Sequence, residues 1–207
     1  MLVNIFKSLY IVITAVNGKE GLEKTCSEMP HIVICDIIMP EMSGTELCLA
    51  IKQNFDTCHI PVVLLTAKTA IEHNLEGLKM GADDYITKPF NINILLSRCN
   101  NLVNNRIMLQ EKFSKQPQIN TLILTNNLLD KKFMDKVTEI IENEIDNVDF
   151  SVDQLVAQMG IARTKLFTKL KAITGQTPGD LIMTIRLKRA AYLLKNNPEL
   201  NISEISD

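Results

Sequence analysis

The chain has 207 residues, 46% of them apolar and 22% charged, and a formal net charge of −2. These values imply a globular rather than a disordered chain, and the length suits one large or two small domains. The charge is unevenly spread, because residues 163–195 carry eight basic side chains against a single acid, Asp180.

No apolar run reaches membrane-spanning length, and the start lacks a signal-peptide pattern. The five cysteines (Cys26, Cys35, Cys48, Cys58, Cys99) show no Cys-x-x-Cys spacing. They read as reduced core thiols of a cytosolic protein. His31, His59 and His73 are scattered and make no metal-ligand pattern.

In chain order, Met1–Tyr10 reads as an amphipathic helix with Leu2, Ile5, Phe6 and Leu9 on one face. Ile11–Ala15 is predicted as a strand from its β-branched residues. Asn17 then caps a helix, with Glu20 reaching back, and that helix ends before Pro30. The run Ile32-Val33-Ile34-Cys35 is a buried strand that ends on Asp36. Ser43-Gly44-Thr45-Glu46 is a capping box that opens a helix through Ile51. Val62–Leu65 is a third strand, closed by Thr66-Ala67. A helix is predicted from Thr69 to Met80, with Gly81 just beyond it. Asp84–Thr87 is a short strand that runs into Lys88-Pro89, and Asn91 caps a long helix that continues towards Phe113.

This alternation implies an α/β fold with parallel strands and helices on both faces. Asp36, Thr66 and Lys88 each end a strand, so they should converge on one edge of one sheet. In open α/β sheets that edge is where ligands bind. Taken singly, Asp36 would read as a loop-starting residue, Thr66 as an ordinary strand end and Tyr85 as a half-buried aromatic. Their ordered spacing makes those separate readings the weaker ones.

Residues 1–113 resemble a response-regulator receiver domain, of flavodoxin-like fold. The matching stretches are Val33–Pro40, Met42-Ser43-Gly44, Pro61–Ala67, Gly77, Gly81–Tyr85 and Lys88-Pro89-Phe90. The resemblance implies that Asp36 accepts a phosphoryl group from a histidine kinase. It implies that Thr66 and Lys88 bind the phosphoryl oxygens, that Tyr85 is the aromatic switch residue, and that the bond before Pro89 is cis. A lysine ammonium and a hydroxyl suit a concentrated anion, and drawing Thr66 inward would vacate space for an aromatic ring.

The chain departs from the family at one point. The family's first strand ends in an acidic pair that holds Mg²⁺, and nothing before Glu20 here is acidic. Asp36 and the backbone carbonyl of Ile38 are the remaining metal ligands that match. The expectation is a receiver lacking its first strand, which binds Mg²⁺ weakly or not at all, within a chain that is a fragment or a gene model begun at an internal Met.

Residues 114–129 read as a linker, broken at Ser114–Pro117. A helix follows from Asp130 to Asn147, with Phe133, Val137, Ile140 and Ile141 on one face. Ser151 caps a short helix that ends at Gly160, and a turn leads into a helix from Arg163 to Thr174, stopped by Gly175. This is helix-turn-helix spacing. Thr177 and Pro178 open a longer helix that runs to Asn196. Arg163, Thr164, Lys165, Thr168 and Lys169 are among the polar positions of the second helix of the pair, with Leu166, Phe167 and Leu170 on its buried face. Basic side chains so placed reach phosphates or base edges in the major groove, although a merely solvated basic face is the usual origin of a charge run.

Residues 130–207 resemble the first part of an AraC-type DNA-binding domain. The resemblance rests on Phe150–Gly160, Leu166–Lys171, Gly175–Pro178 and Ile185–Leu194. Asn201–Ile205 looks like the opening of a second helix-turn-helix unit, cut short at Asp207.

Together the two resemblances imply the output end of a hybrid two-component regulator. The expected function is a phosphorylation-responsive transcription regulator, cytoplasmic, and the hybrid resemblance is compatible with a parent anchored in the inner membrane. Its partners would be a histidine kinase (or the kinase part of the same polypeptide), DNA, and a second copy in an active homodimer. A changed face around residues 69–80 and Tyr85 would alter that self-association. The alternative is a phosphorylation-independent, receiver-like interaction module attached to a DNA-binding domain. This segment is not expected to be an enzyme, since it carries no nucleophile–base pair and no glycine-rich phosphate loop. A full-length parent of the hybrid type would include a histidine kinase.

Overall fold

The computed structural model describes residues 2–67, 81–116, 120–125 and 127–197. The chain divides into two compact units, Met1–Asn105 and Arg106–Asp207. The predicted helix over residues 69–80, Gly77, and the segment Asn201–Ile205 lie outside the described residues.

In the first unit three strands pair in parallel in the order β1-β2-β3. They are β1 (Val33–Asp36), β2 (Val62–Ala67) and β3 (Asp84–Lys88). β2 lies between the other two and is buried along Val62–Thr66. Successive side chains on a strand point to opposite faces, so β2 feeds two cores. Val62 and Leu64 join Cys35, Leu47, Cys48, Ile51 and Ile60 on one face. Val63 and Leu65 join Phe6, Ile86, Leu95 and Cys99 on the other.

Helices supply the rest of both cores. α1 (Leu2–Phe6) and the long α4 (Ile92–Lys115) contribute Phe6, Leu95 and Cys99 to the second cluster. α3 (Gly44–Gln53) contributes Leu47, Cys48 and Ile51 to the first, and Leu22 of α2 (Gly18–Glu28) packs against it. The end of α3 is fastened by Lys52, which pairs with Asp83 at 2.7 Å and donates to the Ile60 carbonyl. Asp83 in turn accepts from the Val62 amide at 2.7 Å, so one carboxylate helps to register the start of β2. The predicted caps form. Asn17 accepts from the Glu20 amide, and Ser43 and Glu46 make a reciprocal capping box. Glu20 reaches back one residue further than expected, to the Val16 amide.

One predicted element is absent. Ile11–Ala15 forms no strand. A strand exists only where a neighbour completes its hydrogen-bond ladder. β1 pairs with β2 on one side, and among the described residues no strand lies on its other side. Ile11 is 98% exposed and Val16 82%. β-Branched composition supplied the tendency, and the missing partner withheld the structure.

The second unit is helical. α5 (Leu128–Asn143), α6 (Val152–Met159), α7 (Arg163–Thr174) and α8 (Pro178–Asn196) follow a short 3₁₀ turn at Thr121–Ile123. α5 buries Phe133, Val137, Ile140 and Ile141, the predicted face, together with Met134. Leu155, Leu166, Leu170, Ile173, Leu181 and Ile185 complete the core at 1% exposure or less. Gly160 ends α6 at φ 68°, a left-handed conformation that a glycine adopts without a Cβ clash. α4 continues to Lys115, past the predicted end, and α5 begins at Leu128, so the segment read as a linker is shorter and holds a turn. The division between the compact units falls inside α4, ahead of residue 113. Among the described residues no helix is long and apolar enough to cross a membrane.

Candidate functional site

Parallel pairing brings the carboxyl ends of all three strands to one edge. Asp36 is the last residue of β1 and lies opposite Leu65. Lys88 is the last residue of β3 and lies opposite Ala67. Thr66 sits between them on β2. The Lys88 ammonium donates to an Asp36 carboxylate oxygen, and the two side chains are 41% and 37% exposed. The other Asp36 oxygen accepts from the Ile38 amide at 3.3 Å. The predicted convergence of Asp36 and Lys88 is therefore present as a direct ion pair, open to solvent.

The backbone under Asp36 is tightly held. The Ile37 amide donates to Leu65, and the Gly44 amide to the Ile37 carbonyl at 2.9 Å. A Cβ on Gly44 would stand 2.2 Å from the Asp36 carbonyl oxygen, so α3 can begin here only with a glycine. Gly44 was part of the quoted motif, but nothing local in sequence signals this close approach.

Thr66 is 2% exposed and its hydroxyl donates to the Ala67 carbonyl at 3.2 Å. Tyr85 is half-buried against the Cys48–Leu64 core, and its hydroxyl is buried with no hydrogen-bond partner among the described residues. Burial, with Cys48 and Asp83 nearby, pushes that phenol up to about 12. The Lys88–Pro89 bond is cis. Cys35, directly before Asp36, is pushed up to about 12 by burial and by the nearby Cys48 and Asp36. It stays a thiol at neutral pH and offers no competing nucleophile.

Among the described residues, the donor set at Asp36 does not by itself make a Mg²⁺ site. Among the described residues no three His, Cys, Asp or Glu side chains gather where an ion could sit. Asp36 already faces the Lys88 ammonium, and the Ile38 carbonyl adds one neutral oxygen. A hard divalent cation needs more oxygen charge than that.

The second candidate surface is the outer face of α7. Arg163, Thr164, Lys165 and Thr168 are exposed there. Arg163 pairs with Asp153 of α6 and lies over the Phe167 ring at 5.0 Å. Lys169 departs from expectation. It is 2% exposed and paired at 2.5 Å with Asp130 of α5, itself 4% exposed by side chain. Lys169 lies one turn on from Lys165, on nearly the same helical face, but α5 covers it, so it fastens α7 to α5 and is removed from the solvent-facing set. Asp130 was legible only as an acid in the first turn of α5. Its role as the partner of Lys169 depends on packing.

Residues 1–100 match the response regulator receiver domain family. Histidine kinase P4 of Formosa agariphila is 43% identical over 203 residues, which is 98% of this chain and 15% of that protein. Response regulator ArlR of Staphylococcus saprophyticus is 38% identical over 115 residues, covering 56% of this chain and 46% of that one. The chain thus spans less than half the length of either relative. A solved receiver domain of a signal transduction histidine kinase from Syntrophus aciditrophicus is 34% identical, covering 48% of this chain and 76% of that chain, with a TM-score of 0.45.

Proposed function

Because its first half is a response regulator receiver domain, the signal-receiving part of two-component systems, we propose that this chain is a phosphorylation-responsive transcription regulator with Asp36 as phosphoacceptor. The observation that carries the proposal is the meeting of Asp36 and Lys88 at the open carboxyl edge of the sheet. The donor would be a phosphohistidine on a histidine kinase. An Asp36 carboxylate oxygen forms the new P–O bond as the P–N bond breaks. The imidazole leaves with the electron pair and takes a proton from water. Lys88, already on the carboxylate, balances the added charge, and Thr66 supplies a hydroxyl to the new oxygens. Turning Thr66 towards the phosphoryl group gives up its bond to Ala67. Tyr85, with an unpartnered hydroxyl, is the neighbouring group with most to gain by moving.

Output falls to the second unit, read as an AraC-type helix-turn-helix of α6 and α7 followed by α8. Arg163, Thr164, Lys165 and Thr168 would face DNA, and pairing of two chains would engage two half-sites. That no carboxylate cluster gathers near Asp36 among the described residues favours a second reading, a docking module that works without phosphorylation.

Intact-mass spectrometry after incubation with acetyl phosphate and Mg²⁺ separates the two readings. A single phosphoryl adduct, absent from Asp36→Asn, is the expected result. No adduct on this chain or on one extended upstream supports the docking module.

A further inference from the structure

The second half of α4 carries Arg106, Gln110, Phe113 and Ser114, spaced i, i+4, i+7 and i+8 on one helical face. Arg106 and Gln110 engage the end of α7, Ser114 engages the turn after it, and Phe113 engages α8. The Ala172 carbonyl accepts from Arg106 Nε at 3.1 Å and Nη2 at 2.6 Å, and from Gln110 Nε2 at 3.1 Å. Gln110 Nε2 also reaches the Ile173 carbonyl at 3.3 Å. The last carbonyls of a helix have no partner within it, and that end carries partial negative charge. A guanidinium and an amide from another helix therefore satisfy the C-terminal end of α7.

The clamp extends into α8. The Lys188 ammonium donates to the Phe113 carbonyl and lies 4.2 Å from the centre of its ring. Gln176, in the turn between α7 and α8, donates to Ser114 Oγ at 3.0 Å and to Thr184 Oγ1 at 3.1 Å. Gly175, at φ 74°, leaves room for the clamp, since a Cβ there would meet Gln110 Oε1 at 3.2 Å.

We propose that Arg106 and Gln110 are positioning residues for DNA binding, holding the C-terminal end of α7 so that its opposite end, with Arg163, Thr164 and Lys165, meets the duplex at a fixed angle. This rests on the reading of α7 as the DNA-facing helix. α4 is then an integral part of the DNA-binding unit. It is also the helix that starts at Ile92, just after Lys88 and the cis Pro89.

Two measurements on the full chain test the proposal. In Arg106→Ala/Gln110→Ala, hydrogen exchange at the amides of Ala172–Gly175 should quicken at least about tenfold as the last turn of α7 frays. Affinity for a random-sequence duplex, read by anisotropy, should fall about three- to tenfold, the loss expected for two hydrogen bonds of modest net strength. The slope of log affinity against log salt should not change, because neither residue touches phosphate. Lys165→Ala should flatten that slope by about one unit. Arg106→Lys, which keeps a charged donor for Ala172, should restore most of the protection and the affinity. Gln110→Ala alone should show the same direction with a smaller step, and replaces the double variant if that fails to fold.

Unchanged exchange at Ala172–Gly175 overturns the proposal. So does a flattened salt slope in the Arg106 variant, which would make that residue a direct phosphate contact. If the unaltered chain fails to bind duplex at all, the DNA reading fails, and with it the positioning role. Quickened exchange would then establish the clamp as purely structural.

Discussion

Asp36–Lys88 in the first unit and Asp130–Lys169 in the second are the same chemistry in two settings. The first pair stands at a sheet edge with both side chains more than a third exposed. The second lies between two helices at 2% and 4% exposure. Water and mobile ions screen an exposed pair, which is worth little to stability. Such a pair can be broken and remade at small cost, as the proposed phosphoacceptor site would require. A buried pair has lost its hydration and is held by its partner, so removing one member strands the other. Burial rather than residue identity separates a lysine ready for chemistry from a lysine that locates a helix.

The largest expected effect breaks the buried pair. Lys169→Met should destabilise the second unit by about 3–5 kcal/mol, because the buried Asp130 loses its cationic partner and retains the Asn127 amide at 2.6 Å as a neutral donor. Urea unfolding measures the loss. Asp130→Leu combined with Lys169→Met should recover most of it, since two apolar groups of similar volume need no hydration. If Lys169→Met instead leaves stability intact and lowers DNA affinity, the side chain reaches solvent and the comparison between the two pairs collapses.

The exposed pair should respond in the opposite way. Lys88→Met should change unfolding stability by no more than about 1 kcal/mol, in line with screened pairs. The same variant should lose most of the acetyl phosphate adduct, because among the described residues Lys88 is the cation that pairs with Asp36. A large stability loss with an intact adduct would reverse the roles assigned to the two lysines.

These contrasts also mark what the sequence could reveal. The caps at Ser43, Ser151 and Thr177 were legible because a cap is settled within four residues. The edge that carries Asp36, Thr66 and Lys88 was legible because parallel strands of similar length end together. The strand at Ile11–Ala15 was misread because a ladder needs a partner strand, and no local pattern reports one. Lys169 was misread because a basic residue on an amphipathic helix looks the same whether it meets water or an aspartate from elsewhere in the chain. The Arg106–Gln110 clamp left no apolar stripe, so periodicity could not point to it.

The smallest effect compares the units through their caps. Glu46 in α3 is held below its ordinary 4.5 by the Ser43 hydroxyl and amide. Asp180 in α8 is held below 3.8 by the Thr177 hydroxyl and amide. A folded value below the unfolded one means that the unfolded chain takes up its proton first as pH falls. The stabilisation is complete above the unfolded value and disappears as pH drops through the folded one. Glu46→Ala and Asp180→Ala should therefore each lower the urea midpoint at pH 7, and the gap to the unaltered chain should narrow below about pH 4. Gln154 makes the same reciprocal box with Ser151 in α6 but carries no titratable group. Its alanine variant should show a gap that does not change with pH. If the Gln154→Ala gap narrows alongside the other two, general acid loosening of the fold is responsible, and the carboxylates have no special part in it.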